Sequence, residues 1–468
     1  MFELNHGIYI VSKYINYVLL FIRGFFLAKI LGPTDFGFLG YLILIQFYLI
    51  YSNSGIPYGL NNEISTNSDK DYKKLIVNSS FILTILISFI LVIVLSVISF
   101  SNFSFFNQPN DLLYLWIIIL LTICVHFQQL FITIRRFENK FSRILTSEIF
   151  VTLVTIIPLF LYNGKSLILN YFIFWSIGLF FSILILWKPI HLNFKIRKQD
   201  LINFLKICIP LLILTLFSSV GENLSRIFIS LFYSTKFFGY FAFALNLSTA
   251  VMLIVKTFTW MFFPTVLKSL STKKNEELLN YIVGFSKNIL TINLLSVFLA
   301  IIFNSLIFYF IPQYINSKDS FILLLFTGIM FNSSFMLMSL IIAKSKIKDA
   351  IKIILLKIFI IFLISLFGFQ LNFNYTFHIF AQLLGFMFLF NYLCFYCSKQ
   401  FGLNKFKLLN IFNIFYQLLF IFSNVIILMF PEYIDLVALT FIIILLIHLK
   451  KNIIYLYSSI LKLFKFSW

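Results

Sequence analysis

Apolar runs of membrane-crossing length follow one another along almost the whole chain, and this constrains its fold more than any other feature. A helix needs roughly 20 residues to cross ~30 Å of hydrocarbon at 1.5 Å per residue. Runs of about that length lie at 8–31, 36–60, 75–99, 112–134, 144–163, 167–187, 207–233, 239–263, 282–311, 321–343, 351–370, 377–398, 409–430 and 434–449. Turn chemistry marks the breaks: Gly32-Pro33 after the first run, Pro109 before the fourth, and Pro189, Pro312 and Pro431 after the sixth, ninth and thirteenth. The runs are continuously apolar rather than alternating, which selects helices over a barrel. A mean hydropathy of +1.00 and a charged content of only 11% exclude a soluble globular domain, whose surface would need far more charge.

The basic residues orient these spans. Lys and Arg resist translocation and collect in cytoplasmic loops. The even-numbered loops and their edges hold 22 of them, among them Lys70, Arg135, Lys195, Lys273, Lys346 and Lys405, whereas the odd-numbered loops hold only Lys165, Lys236 and Lys318. A miscounted span would put every later loop on the wrong side and destroy this alternation. The pattern continues to Lys450, Lys451, Lys462 and Lys465 after the last run. The expectation is an even count of about fourteen spans with both termini in the cytoplasm. The net charge of +20 is explained by this distribution, and no reading module for nucleic acid accompanies it. The wealth of Phe, Ile, Asn and Lys points to an AT-rich bacterial genome, and the expected location is the bacterial cytoplasmic (inner) membrane.

The expected organisation is a six-helix lobe over 1–187 and a basic linker over 188–206. A second six-helix lobe covers 207–398, helices 13 and 14 cover 399–449, and a basic amphipathic tail covers 450–468. Linker and tail both read as helices on the anionic cytoplasmic surface, in contact with membrane lipids. The halves echo each other. Arg23 precedes Leu31-Gly32-Pro33-Thr34-Asp35-Phe36-Gly37, and Arg226 precedes Tyr233-Ser234-Thr235-Lys236-Phe237-Phe238-Gly239. Setting Gly239 over Gly37 gives an offset of 202 residues, with the two Arg one position out of register. Six plus six spans in this order make a parallel repeat, because both halves enter from the cytoplasm.

Charges inside hydrocarbon are costly, by ~2.5–3.5 kcal/mol on insertion scales, and are functional candidates by default. Arg23 lies well inside the first span, Arg226 deep in the seventh, Lys256 in the eighth and Lys357 in the eleventh. These four make a candidate cationic cavity for an anionic substrate, since Arg matches phosphate oxygens bidentately. Lys256 and Lys357 stand within about two turns of the cytoplasmic end, where snorkelling is the competing reading. Glu222 precedes Arg226 by four residues, the spacing of a local ion pair, and is with His126 a candidate for coupling. His126 in the fourth span reads otherwise as a packing residue, and Glu148 as an interface charge at the start of the fifth. Cys394-x-x-Cys397 falls in an apolar run with no βαβ pattern, against redox or metal chemistry. No nucleotide loop and no catalytic carboxylate pair is present, so no cofactor, ATP hydrolysis or glycosyl hydrolysis is expected.

The first sixty residues, with Arg23-Gly-Phe-Phe-Leu-Ala-Lys-Ile-Leu-Gly-Pro-Thr-Asp-Phe-Gly and then Ser54-Gly55-Ile56-Pro57-Tyr58-Gly59, resemble the start of the Wzx-type oligosaccharide flippases of the polysaccharide biosynthesis family. That family belongs with the MATE exporters to one superfamily, abbreviated MOP. Phe238-Gly239-Tyr240-Phe241-Ala242 and Phe262-Phe263-Pro264 resemble its seventh and eighth helices. One departure stands out: Asn61 and Asn62 occupy a place where such proteins often carry a basic residue. The resemblance implies an all-α MATE-like fold and a polyprenyl-diphosphate-linked oligosaccharide as substrate. It also implies transport by alternating access, with polysaccharide polymerase and chain-length machinery as partners and O-antigen or capsule of the lipopolysaccharide-bearing surface as product. A MATE-like ion-coupled exporter of small molecules is the first alternative, and it predicts buried carboxylates. A membrane polymerase or glycosyltransferase is the second, and it predicts a large loop or a catalytic domain. A cell-wall precursor flippase is a closer variant, but that family's Arg-rich pattern in the first two helices is not found here.

Overall fold

The computed structural model describes residues 4–66, 69–100, 111–187, 198–273, 275–344 and 346–449. The basic tail expected over 450–468 and the first part of the expected linker, 188–197, lie outside these residues. Among the described residues every regular element is a helix. The chain forms two compact units, Met1–Leu216 and Phe217–Trp468, and the division falls within one helix.

The first unit contains α1 (Leu4–Tyr51), α2 (Gly55–Thr66), α3 (Lys70–Phe100), α4 (Asp111–Phe137), α5 (Phe141–Ile156), α6 (Pro158–Leu161), α7 (Gly164–Leu186) and most of α8 (Lys198–Glu222). Helix α1 covers two expected spans. It bends at Gly32, whose φ of 69° lies in the left-handed region that favours glycine, and Pro33 follows. The second expected span is itself interrupted by the turn Ser52–Ser54, after which α2 begins. The expected linker residues Lys198 to Lys206 are helical and run directly into the seventh span as the start of α8.

The second unit contains the end of α8, then α9 (Leu224–Phe232), α10 (Thr235–Thr272), α11 (Asn275–Ile302), α12 (Asn304–Phe310), α13 (Lys318–Ser333), α14 (Phe335–Ala343), α15 (Ile347–Gln370), α16 (Thr376–Phe401), α17 (Lys405–Leu409), α18 (Ile414–Met429) and α19 (Ile434–His448). Helix α13 is the centre of this unit and is buried on all sides, from Ser320 and Phe321 to Asn332. The last two apolar helices are fastened by polar contacts. Asn391 of α16 and Gln417 of α18 exchange amide hydrogen bonds of 2.6 and 3.2 Å. Asp435 at the start of α19 takes Lys318 Nζ at 2.6 Å and Asn304 Nδ2 at 2.8 Å. Polar pairs of this kind hold helices together where lipid offers no hydrophobic driving force.

Among the described residues eleven helical stretches are long and apolar enough to cross a membrane, and Phe415–Met429 and Ile434–Ile447 are shorter apolar helices. Taking the bent α1 as two crossings, these account for the fourteen expected runs. Large apolar side chains such as Phe89, Val97, Phe160, Phe180, Phe359 and Phe367 are exposed around both units, as lipid-facing residues must be. The chain is a multi-pass membrane protein.

Close backbone approach depends on small residues. In α2, Gly55 and Gly59 make a Gly-x-x-x-Gly face against α8. A Cβ at Gly55 would stand 2.6 Å from the Cys208 carbonyl oxygen and 2.8 Å from Leu212 Cβ, and backbone cannot yield as a side-chain tip can. Gly55→Ala is therefore expected to destabilise the first unit by about 1–3 kcal/mol, the usual cost of overpacking. A thermal melt in detergent that matches the wild type would contradict this packing.

Candidate functional site

Helices α1 and α5 lie side by side, and a polar seam runs between them. Lys13 forms an ion pair with Glu148. Asn16 Oδ1 accepts from Thr152 Oγ1 at 2.7 Å, and Arg23 Nη1 donates to Thr155 Oγ1 at 2.7 Å. The positions 148, 152 and 155 fall on one face of α5 by the helical period, and 13, 16 and 23 face them from α1. Arg23 stands ten residues beyond Lys13, about 15 Å along the axis, a distance of half a ~30 Å hydrocarbon layer. Its Cζ lies 5.5 Å from the centroid of the Tyr171 ring of α7. Its Nε is buried and donates to no group among the described residues. Arg23 is thus aimed by a hydroxyl and a ring face, while part of its guanidinium fork stays uncommitted.

Thr155 and Tyr171 were not among the residues expected from sequence. The signal was the stripe Glu148, Thr152, Thr155, at intervals of four and three within an otherwise apolar run. His126 is fully buried in α4, and its Nε2 lies 3.5 Å from Ser52 Oγ, in the turn that interrupts the second span. Asn53 of the same turn is fully buried and accepts from Thr84 Oγ1 at 3.5 Å. At the end of α2, Asn61 receives a hydrogen bond of 2.7 Å from Arg136 Nη2 of α4. A basic group therefore does reach this place, from another helix.

In the second unit the expected site residues gather at a break in the seventh span. Helix α8 ends at Glu222, Asn223 leaves helical geometry (φ −117°, ψ 16°), and α9 begins at Leu224. The expected pair Glu222 and Arg226 thus flanks this break, one residue on each helix. The Glu222 carboxylate accepts from Ser218 Oγ at 3.2 Å. Arg226 is buried in α9. Gln382 of α16 staples the break. Its Oε1 accepts from the Ser225 backbone N–H at 3.1 Å and from the Ser225 hydroxyl, and its Nε2 donates to the Glu222 carbonyl. One amide thus serves the last carbonyl of α8 and an early N–H of α9, groups that a helix end leaves unpaired.

Lys357 and Lys256 were equivalent in sequence but are not in space. Lys357 is 2% exposed, so it does not snorkel, and its Nζ lies 4.5 Å from the centroid of the Phe386 ring. It is packed against the end of α8, where a Cβ on Gly221 would stand 2.7 Å from its Cε and Nζ. Lys256 is exposed on α10, and no described contact brings it to Lys357 or Glu222. The structure brings Lys357, Glu222 and Gln382 together in the second unit and Arg23, Thr155 and Tyr171 in the first. Cys394 and Cys397 are free thiols, fully buried in α16. No cluster of three or more metal-ligating side chains occurs among the described residues.

Comparison with known structures gives the same architecture. The lipid II flippase MurJ in an inward closed conformation superposes with a TM-score of 0.67 at 16% identity, over 97% of this chain and 99% of that one. An outward-facing MATE family multidrug resistance transporter of the MOP superfamily gives 0.63 at 13% identity, over 84% and 95%. A MOP superfamily transporter from Pyrococcus furiosus gives 0.55 at 13% identity, over 83% and 95%. At these identities the likeness establishes the fold. No curated protein sequence matches the chain. The polysaccharide biosynthesis protein family matches over residues 4–270, more than half of the chain, and it is to this family that the chain belongs.

Proposed function

We propose that the chain is a flippase that moves a polyprenyl-diphosphate-linked oligosaccharide, an O-antigen or capsule repeat unit, from the cytoplasmic to the outer leaflet by alternating access. The observation that carries this reading is Arg23, a guanidinium at mid-membrane depth with Nε uncommitted. An exposed or half-exposed Arg in hydrocarbon is costly unless an anion repays it. A diphosphate offers the oxygen pairs that the fork matches. Arg226 serves as a second anion contact. The same set of charges disfavours a cation exporter, because Glu148, the carboxylate on the seam that holds Arg23, is already paired with Lys13.

The direct test is reconstitution of the protein into vesicles with a fluorescent polyprenyl-diphosphate disaccharide and an impermeant quencher. Quenching beyond the outer-leaflet fraction, dependent on the protein and absent for a neutral prenyl glycoside, is the expected result. Quenching equal to that of protein-free vesicles would contradict the proposal.

The proposed orientation places both termini in the cytoplasm of the inner membrane. A cysteine at Lys405 should react with an impermeant maleimide only after the membrane is permeabilised, and one at Lys318 should react in spheroplasts. Labelling of the Lys405 position from outside would reverse the orientation.

A further inference from the structure

The break in the seventh span holds a cation that is part of the chain. Three features that attract positive charge converge on Lys357. The C-terminal end of a 25-residue helix, α8, carries the negative end of its dipole, and the ammonium rests against its last turn at Gly221. The Glu222 carboxylate belongs to the residue directly after Gly221, at that same helix end. The face of the Phe386 ring lies 4.5 Å from Nζ, within cation–π range. In membrane transporters the ends of half-helices at such breaks and their unwound carbonyls are where alkali-metal ions are held. Here the carbonyl of Glu222 is taken by Gln382, those of Ser219 and Val220 by Asn223, and the remaining space by the lysine. Of the helices packed against α15, α9 carries the buried Arg226, a second cation, and α16 carries the buried His378, stacked on Phe228, with the thiols Cys394 and Cys397. Helix α14, also packed against α15, supplies none.

We infer that the Lys357 ammonium is a tethered cation that occupies an alkali-metal-type site at the end of α8. The wild-type protein binds no sodium there, and removal of the ammonium opens a Glu222-dependent site for a small monovalent cation. The consequence for transport, full activity in sodium-free medium, rests on the function proposed above; the binding itself does not.

The test is thermal melting of the full-length protein in detergent, in NaCl, LiCl, KCl and choline chloride at equal ionic strength, together with retention of radioactive sodium. The wild type should melt alike in all four salts and retain no sodium. Lys357→Ala should melt several degrees lower in choline and regain part of the loss in NaCl or LiCl. That rescue should vanish in the Lys357→Ala/Glu222→Gln double variant. A folded Lys357→Ala protein that responds alike to all four salts would overturn the inference. If Lys357→Ala does not fold, the wild type and Glu222→Gln decide. Sodium retained by the wild type and lost in Glu222→Gln overturns the tethered cation, and no retention by either supports it. Failure of vesicle flipping with these binding results intact would count against the proposed function alone.

Discussion

Arg23→Ala is expected to abolish surface polysaccharide while the protein stays inserted and abundant. The fold does not depend on this side chain. Arg23 is half-buried, and Thr155, which it contacts, keeps its own bonds to the Val151 and Thr152 carbonyls when Arg23 is gone. What is lost is a guanidinium that can grip two phosphate oxygens at once. Hydrogen bonds to charged groups contribute about 1.5–3 kcal/mol each. Losing one or two of them in low dielectric weakens diphosphate binding by roughly 10-fold to more than 100-fold. Arg23→Lys should restore activity only in part, because an ammonium is a point charge without the planar fork. Thr155→Val leaves the charge but removes the group that aims it, and should fall between the two. The measurement is surface polysaccharide by immunoblot, normalised to membrane protein. Wild-type polysaccharide in Arg23→Ala would remove the residue from the site.

Gln382→Leu should be the most damaging neutral substitution in the second unit. It leaves the Ser225 N–H, the Ser225 hydroxyl and the Glu222 carbonyl with no amide to meet them, inside a protein core at membrane depth. A buried polar group left unsatisfied costs about 1–3 kcal/mol, and three of them sharing one partner give a loss of about 2–5 kcal/mol after relaxation. Gln382→Glu keeps the acceptor toward Ser225 and loses the donor toward Glu222, so its loss should be smaller if the first contact dominates. Thermal unfolding in detergent reads both. A Gln382→Leu protein as stable as the wild type would mean that the break in the seventh span holds its shape without the staple.

The spans were legible because lipid leaves a helix little choice. Every backbone group must be satisfied within the segment, so the apolar run itself marks the crossing. The bend at Gly32 was legible from the Gly-Pro pair, which rarely continues a helix unbent. The interruptions at Ser52–Ser54 and Asn223 were not read, because each lies inside a run that stays apolar on both sides. Their stabilising partners come from far along the chain: Thr84 and His126 for the first, Gln382 for the second. The difference between Lys256 and Lys357 was partly available. Ala350, Ile353, Ile354, Lys357, Ile361, Ser365 and Gly368 form one buried stripe along α15, and the helical period puts Lys357 at its middle. Judging both lysines by distance from the membrane surface hid this. The aim of Arg23 could not be read at all, since it depends on how α1 and α5 meet, 132 residues apart.

The central claim is that the chain moves a finished lipid-linked sugar rather than building or polymerising it. The measurement that tests this most directly is the sugar length and leaflet of lipid-linked material in a strain lacking the gene. Length is read by mass, and leaflet by accessibility to an added glycosidase in intact spheroplasts. A flippase predicts complete repeat units that accumulate on the cytoplasmic leaflet and stay protected until the membrane is opened. Truncated sugars would indicate a missing glycosyltransferase, and complete single units already exposed on the outer face would indicate a missing polymerase. Either result would contradict the account.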